Sequence, residues 1–126
     1  MELAQVTNVV HDIDRAVRFH RDTLGLPLLF QAPPALAFFQ VGSVRLMLSP
    51  PENPAQDHPG SVLYLKVKDI ESVHRTLAAR GVTFVDKPHR VHDAPEYELW
   101  MTFFHDPDNN PMALMEEKPK PPRKAS

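Results

Sequence analysis

The spacing of apolar residues changes several times along the chain, and each change marks an element. Residues 3–10 (LAQVTNVV) alternate and are rich in β-branched types, which predicts a strand. In the run IDRAVRFHRDTL, Ile13, Ala16, Val17, Phe19 and Leu24 fall near helical spacing, behind an N-cap at Asp12. Gly25 stands just past this helix, where a left-handed residue is wanted. Strand-like runs follow at about 27–31, 36–41 and 44–49, the last two joined by a tight turn at Gly42–Ser43. The order is β-α-β-β-β.

The same order then recurs. Residues 61–67 (SVLYLKV) predict a strand, Asp69 caps the helix IESVHRTLAAR, and Gly81 ends it. VTFVDK, ELWMTFF and PMALMEE predict three more strands. Asp12-Ile13 matches Asp69-Ile70, Phe38-Phe39-Gln40 matches Phe103-Phe104-His105, and Leu46-Met47-Leu48 matches Met112-Ala113-Leu114. One supersecondary unit is therefore used twice. A single helix covers one face of each sheet, so the other face needs a partner or a ligand. The expected class is α+β, with two βαβββ modules forming a curved mixed sheet around a cleft.

At 126 residues the chain is the size of one domain. Fourteen prolines against four glycines punctuate it: SPPENPAQDHPG separates the modules, and KPHRVHDAPE reads as a loop. Module one is placed at 2–50, a linker at 51–60 and module two at 61–117, with 118–126 as a disordered, basic, Pro-rich tail. Cysteine is absent, which removes disulfides, thiolate metal sites and cysteine nucleophiles. A net charge of -2 speaks against a nucleic-acid partner. No apolar run approaches the roughly 20 residues that span a bilayer. MELAQVTNVV lacks the basic start of a signal peptide, so a cytoplasmic location and no membrane association are expected.

The capping pairs Asp12-Ile13 and Asp69-Ile70, the Leu24-Gly25-Leu26 and Gly81-Val82 ends, and the run Phe103-Phe104-His105-Asp106-Pro107-Asp108-Asn109-Asn110 carry a resemblance. The last run is similar to an F-x-D-P-D-G-N turn with Asn109 in the glycine place, which Asn tolerates. On these motifs, spanning residues 2–117, the sequence resembles the vicinal oxygen chelate superfamily of glyoxalase I, bleomycin- and fosfomycin-resistance proteins and extradiol dioxygenases. The resemblance implies a homodimer and, in metal-using members, four ligands from the first and last strands of each module. Those positions read Gln5, Met47, Val62 and Ala113 here. Only Gln5 offers an oxygen, and one neutral amide does not hold a divalent cation. No metal and no cofactor are therefore expected, and neighbouring registers restore no His or Glu set.

Alternation places Gln5, Thr7, Arg45, Met47, Val62, Tyr64, Ala113 and Met115 on the cleft side, with Lys66 beside them. Val6, Val10, Leu46, Leu48, Leu63, Leu65, Met112 and Leu114 face the helices, and Asn8 is a polar exception among them. A mostly apolar cleft with few polar groups suits a small molecule; packing against itself or a second subunit is the plainer alternative. Trp100 is a candidate stacking platform, with ordinary strand packing as its competitor. His92, half of an H-x-x-H pair with His89, is a weak candidate for a general base. His11, His20 and His74 are expected to be solvated. Two functions stay open. One is binding of a small, partly flat organic molecule without a metal, by sequestration or metal-free conversion. The other is a metal-dependent lyase, isomerase or dioxygenase using unusual ligands such as Gln5 with loop histidines.

Overall fold

The computed structural model describes residues 1–121. Its elements are β1 (Gln5–Val9), α1 (Ile13–Arg18), β2 (Leu28–Ala32), β3 (Leu36–Val41), β4 (Val44–Ser49), β5 (Leu63–Lys66), α2 (Ile70–Ala79), β6 (His89–Asp93), β7 (Tyr97–His105) and β8 (Pro111–Pro119). The βαβββ order is present twice. Each copy makes a four-stranded mixed sheet, in the orders β1-β4-β3-β2 and β5-β8-β7-β6. In both, the first strand lies parallel to the last strand of its module. The described residues pack as two compact units, Met1–Val62 with His105–Pro111, and Leu63–Phe104 with residues 112–121. No helix among the described residues is long and apolar enough to cross a membrane.

In the first unit the Asp12 carboxylate accepts from Arg15 N and starts α1. The helix widens into a π-turn at Phe19–Thr23, closed by Leu24 N on Phe19 O at 2.9 Å. Four residues after Ala16 and three after Val17, His20 falls on their buried face. Its ring is fully buried, with Nδ1 2.7 Å from Ala16 O. The expectation of a solvated His20 is therefore wrong: it follows the polarity of the residue, whereas helical spacing from Ala16 and Val17 puts the ring in the core. Ala16, Val17, Ala37, Phe39, Leu46 and Leu48 close the core beneath α1. The segment between the modules holds one short 3-10 turn at Pro54–Gln56, capped by Asn53.

In the second unit α2 begins at Asp69, and the Glu116 carboxylate of β8 accepts from Asp69 N and Ile70 N at 3.0 and 2.9 Å. An acid reaching across from a neighbouring strand thus satisfies two of the open N–H groups of the helix. Ile70, Leu77, Val82, Phe104, Met112 and Leu114 form the core.

Several boundaries depart from expectation. The first strand is shorter than residues 3–10, and β5 is shorter than residues 61–67. VTFVDK is not a strand; only Phe84 bridges Phe104. Asp86 is the reason, because its carboxylate takes the Phe103 N–H (2.8 Å) that a neighbouring strand would engage, and it also accepts from the Thr102 hydroxyl (2.8 Å). The edge strand is β6, inside the expected KPHRVHDAPE loop, and every residue of it is exposed. β8 continues to Pro119, so the expected tail is ordered at its start. Lys118 pairs with Glu71, and Lys120 with Asp93. Of the tail placed at 118–126, residues 122–126 lie outside the described residues.

Candidate functional site

Register and alternation fix two faces on the first sheet. The face under α1 carries Asn8, Ala37, Phe39, Leu46 and Leu48, all buried. The other face is not covered by a helix of its unit. Thr7, Met47, Phe38 and Phe30 form one row across its four strands, because Thr7 pairs with Met47, Met47 with Phe38, and Phe38 with Phe30. Gln5, Arg45 and Gln40 form the next row. Gln5, Thr7, Arg45 and Met47 thus lie on one face of this sheet.

The side chains of this face interlock. Arg45 Nε donates to Gln5 Oε1 at 2.7 Å, and the Arg45 guanidinium lies 5.5 Å from the centre of the Phe38 ring. Gln5 Nε2 points at Met47 Sδ from 4.0 Å. Phe30 stacks on Phe38 with ring centres 4.4 Å apart and planes 24° apart, yet Phe30 keeps 48% of its surface exposed. Spacing from the helix caps does not single out Phe30 and Phe38. The signal that finds them is their place in the same alternation as Met47.

This geometry also tests whether the site suits the metal of metal-using relatives. Gln5 Oε1, the one oxygen donor of the four positions, already accepts from a guanidinium cation. Met47 offers a thioether, while Val62 and Ala113 offer no donor. A positive charge on the sole oxygen ligand opposes a second cation. Among the described residues no group of three or more His, Asp or Glu is arranged to hold a metal ion. The residues present do not fit a divalent metal.

On the second sheet, Tyr64 pairs with Ala113 and Lys66 with Met115. Tyr64 is 48% exposed and meets Phe103 edge-on at 6.1 Å. Ala113 is fully buried and Val62 sits exposed just before β5. Trp100 does not join them. Lys118 lies 4.3 Å above its ring and itself pairs with Glu71 of α2, so Trp100 is on the helix side of the sheet. Trp100 Nε1 donates to Glu98 at 3.0 Å, one cause of the depressed Glu98 pKa. His92 is on the exposed edge strand β6, opposite Leu99 of β7, the strand that also carries Trp100.

A polar cluster in the first unit escaped the sequence reading. His11 Nε2 is 2.6 Å from Asp57, and His11 Nδ1 is 3.1 Å from Asp108, which Arg15 also meets at 3.2 Å. Asp57, ahead of Asp108, raises the His11 pKa above its usual value. Burial lowers the His20 pKa, although Ala16 O, Asp106 and Asp108 oppose the shift. These groups join loops distant in sequence, which spacing does not reveal. Two concavities, of about 400 and 370 Å³, open beside Ile13 and Asp14 of α1 and beside His74 and Ala78 of α2. Neither is lined by Gln5, Phe30, Phe38, Arg45 or Met47.

Comparison with known proteins agrees with this architecture. The sequence profile of the Glyoxalase/Bleomycin resistance protein/Dioxygenase superfamily matches residues 2–124. Uncharacterized protein YraH of Bacillus subtilis (strain 168) is 28% identical over 123 residues, covering 87% of this chain and 94% of that protein. A superfamily member from Sphaerobacter thermophilus DSM 20745 superimposes with a TM-score of 0.79 at 26% identity, covering 93% of this chain and 98% of that one. TnmS3, an antibiotic binding protein from Streptomyces sp. CB03234, superimposes with a TM-score of 0.74 at 25% identity, covering 94% and 97%.

Proposed function

The chain belongs to the Glyoxalase/Bleomycin resistance protein/Dioxygenase superfamily, and from that premise we propose that it binds a small, partly flat organic molecule on the exposed face of its first sheet without the metal used by other members. The observation that carries this is the set Phe30–Phe38–Arg45–Gln5: a stacked aromatic pair half open to solvent beside a guanidinium held in place. Exposed aromatic area with a few fixed polar groups is the usual chemistry of small-molecule recognition. The likeness to an antibiotic binding protein supports sequestration of such a molecule, and metal-free conversion is the enzymatic version of the same reading. Gln5 bound to Arg45 weighs against the metal-dependent lyase, isomerase or dioxygenase alternative.

A thermal-shift screen of flat aromatic and heteroaromatic compounds tests the proposal. A ligand at about 100 times its Kd stabilises by about 2.7 kcal/mol, and Phe38→Ala abolishes that gain. A panel without a single response, or a response indifferent to Phe38, refutes it. Metal analysis of protein purified without chelator is the companion test; one tightly held metal per chain, lost in Gln5→Ala, favours the metal-dependent alternative. The proposal also places the protein in the cytoplasm as a homodimer. The support for a homodimer is the family resemblance, and light scattering checks it.

A further inference from the structure

We infer that the ligand of this face is a planar aromatic anion, with its ring on Phe30 and Phe38 and its carboxylate on Arg45. The inference deepens the proposed function and rests on it. Three observations lead to it.

Charge comes first. No Asp or Glu occurs anywhere in β1, β2, β3 or β4, and Arg45 makes no ion pair among the described residues. The four strands of this sheet therefore supply the Arg45 charge and no carboxylate to balance it. On the second sheet, Lys66 is already 3.7 Å from Glu117.

Arg45 is also pre-organised. Its Nε is spent on Gln5 Oε1 and its plane rests near the Phe38 ring, so the side chain is held from two directions. The two terminal nitrogens make no hydrogen bond within the described residues and stay free to donate in parallel. A planar fork with two free N–H pairs matches the two oxygens of a carboxylate. Holding it before binding lowers the entropy lost when the anion docks.

Distance then sets the shape. Phe38 touches both partners, its ring 4.4 Å from Phe30 and 5.5 Å from the Arg45 guanidinium carbon. Phe38 is thus shared by the stacked pair and the anchor, so one small molecule that carries both a flat ring and an acid suits them together. An aliphatic acid lacks the stacking half, and a neutral arene lacks the anchor.

The test uses the whole chain and four probes: 2-naphthoate, 2-naphthamide, 2-naphthylmethylammonium and cyclohexanecarboxylate. Titration calorimetry or ligand-observed NMR reads their Kd values. Naphthoate should bind about tenfold or more tighter than the amide, the usual worth of a charge-assisted hydrogen bond. Its binding should weaken as ionic strength rises from about 0.01 M to about 0.15 M, where screening shortens to about 8 Å. In Arg45→Gln the acid–amide gap should close to within about twofold while the amide affinity holds. Phe30→Ala should weaken acid and amide by similar factors. Equal binding of naphthoate and naphthamide to the wild type overturns the anionic class and leaves the flat-ligand proposal standing. A gap that survives Arg45→Gln overturns the anchor. Binding of no naphthyl compound at all overturns both this inference and the proposed function. Circular dichroism confirms that each variant is folded, which exposed Arg45 and half-exposed Phe30 permit.

Discussion

Asn110→Ala should remove a large share of the stability of the protein. Asn110 is fully buried, and its side chain is completely used. Nδ2 donates to Val9 O at 2.9 Å and to Asp106 Oδ2 at 3.0 Å, and Oδ1 accepts from Gly60 N at 3.0 Å. Alanine leaves a strand-end carbonyl and a loop N–H without partners and a buried carboxylate one donor short. Each buried group left unpaired costs about 1–3 kcal/mol. Gly60 and Val9 are only half-buried, which pulls their share to the lower end, so the sum is roughly 3–5 kcal/mol. A domain holds about 5–15 kcal/mol in all. Urea unfolding followed by circular dichroism measures the loss. With a slope of about 1–3 kcal/mol per molar, the midpoint should fall by about 1 M or more. A midpoint within about 0.3 M of wild type, at unchanged slope, would refute the claim that these bonds close the first unit.

Three further outcomes follow from the same structure. Gly60→Ala places a Cβ into the Asn8 side chain, which is buried and has little room to move, so a loss of about 1–3 kcal/mol is expected, partly restored by Asn8→Ala in a double-mutant cycle. Glu116→Ala frees Asp69 N and Ile70 N at the start of α2 and should cost about 1–2 kcal/mol by urea midpoint; an unchanged midpoint rejects the role of Glu116 as a cap. The two titrating histidines should act in opposite directions. Burial lowers the folded pKa of His20, so its contribution is present above the usual 6.5 and is lost as pH falls below it. Asp57 and Asp108 raise that of His11, so its contribution is present below 6.5 and is lost as pH rises through the raised value. Urea midpoints between about pH 5 and pH 8 should show the acid-side loss flatten in His20→Gln and the alkaline-side loss flatten in His11→Asn; slopes unchanged in both variants sink the assignment.

Both sheets and their caps were legible because their signals are local. Asp12 and Asp69 accept from the backbone of their own helices, and Gly25, Gly42, Gly81 and Asn109 all take the positive φ their turns suggest. The misread strand shows where locality ends. VTFVDK has the apolar content of a strand, but one carboxylate, Asp86, takes the Phe103 N–H of the partner strand, while HRVHD pairs at an edge where polarity carries no cost. Asn8 stays a polar exception: Gly60, 52 positions later, packs close to its side chain, but its Nδ2 has no hydrogen-bond partner among the described residues. The open face of the first sheet was half legible: alternation placed Gln5, Thr7, Arg45 and Met47 together. The stacking of Phe30 on Phe38 depends on register across strands, shifted by an irregularity between Leu28 and Phe30. Trp100 failed for a related reason. Its rarity drew notice, but parity along β7 and the position of Lys118 put it beneath α2.

The turn at His105–Pro111 packs with the first unit although it connects two strands of the second sheet. This has a consequence during synthesis. When Val62 has been made, β1–β4 are all available, yet the carbonyl of Val9 still lacks the amide that closes it, 101 positions ahead. About 50 more residues must be added, which takes about 3–10 s at ordinary elongation rates. The first module therefore remains unfinished on the ribosome until almost the whole chain has appeared. Duplication has here produced two halves that do not mature one after the other: the first half is completed by a residue encoded near the end of the second.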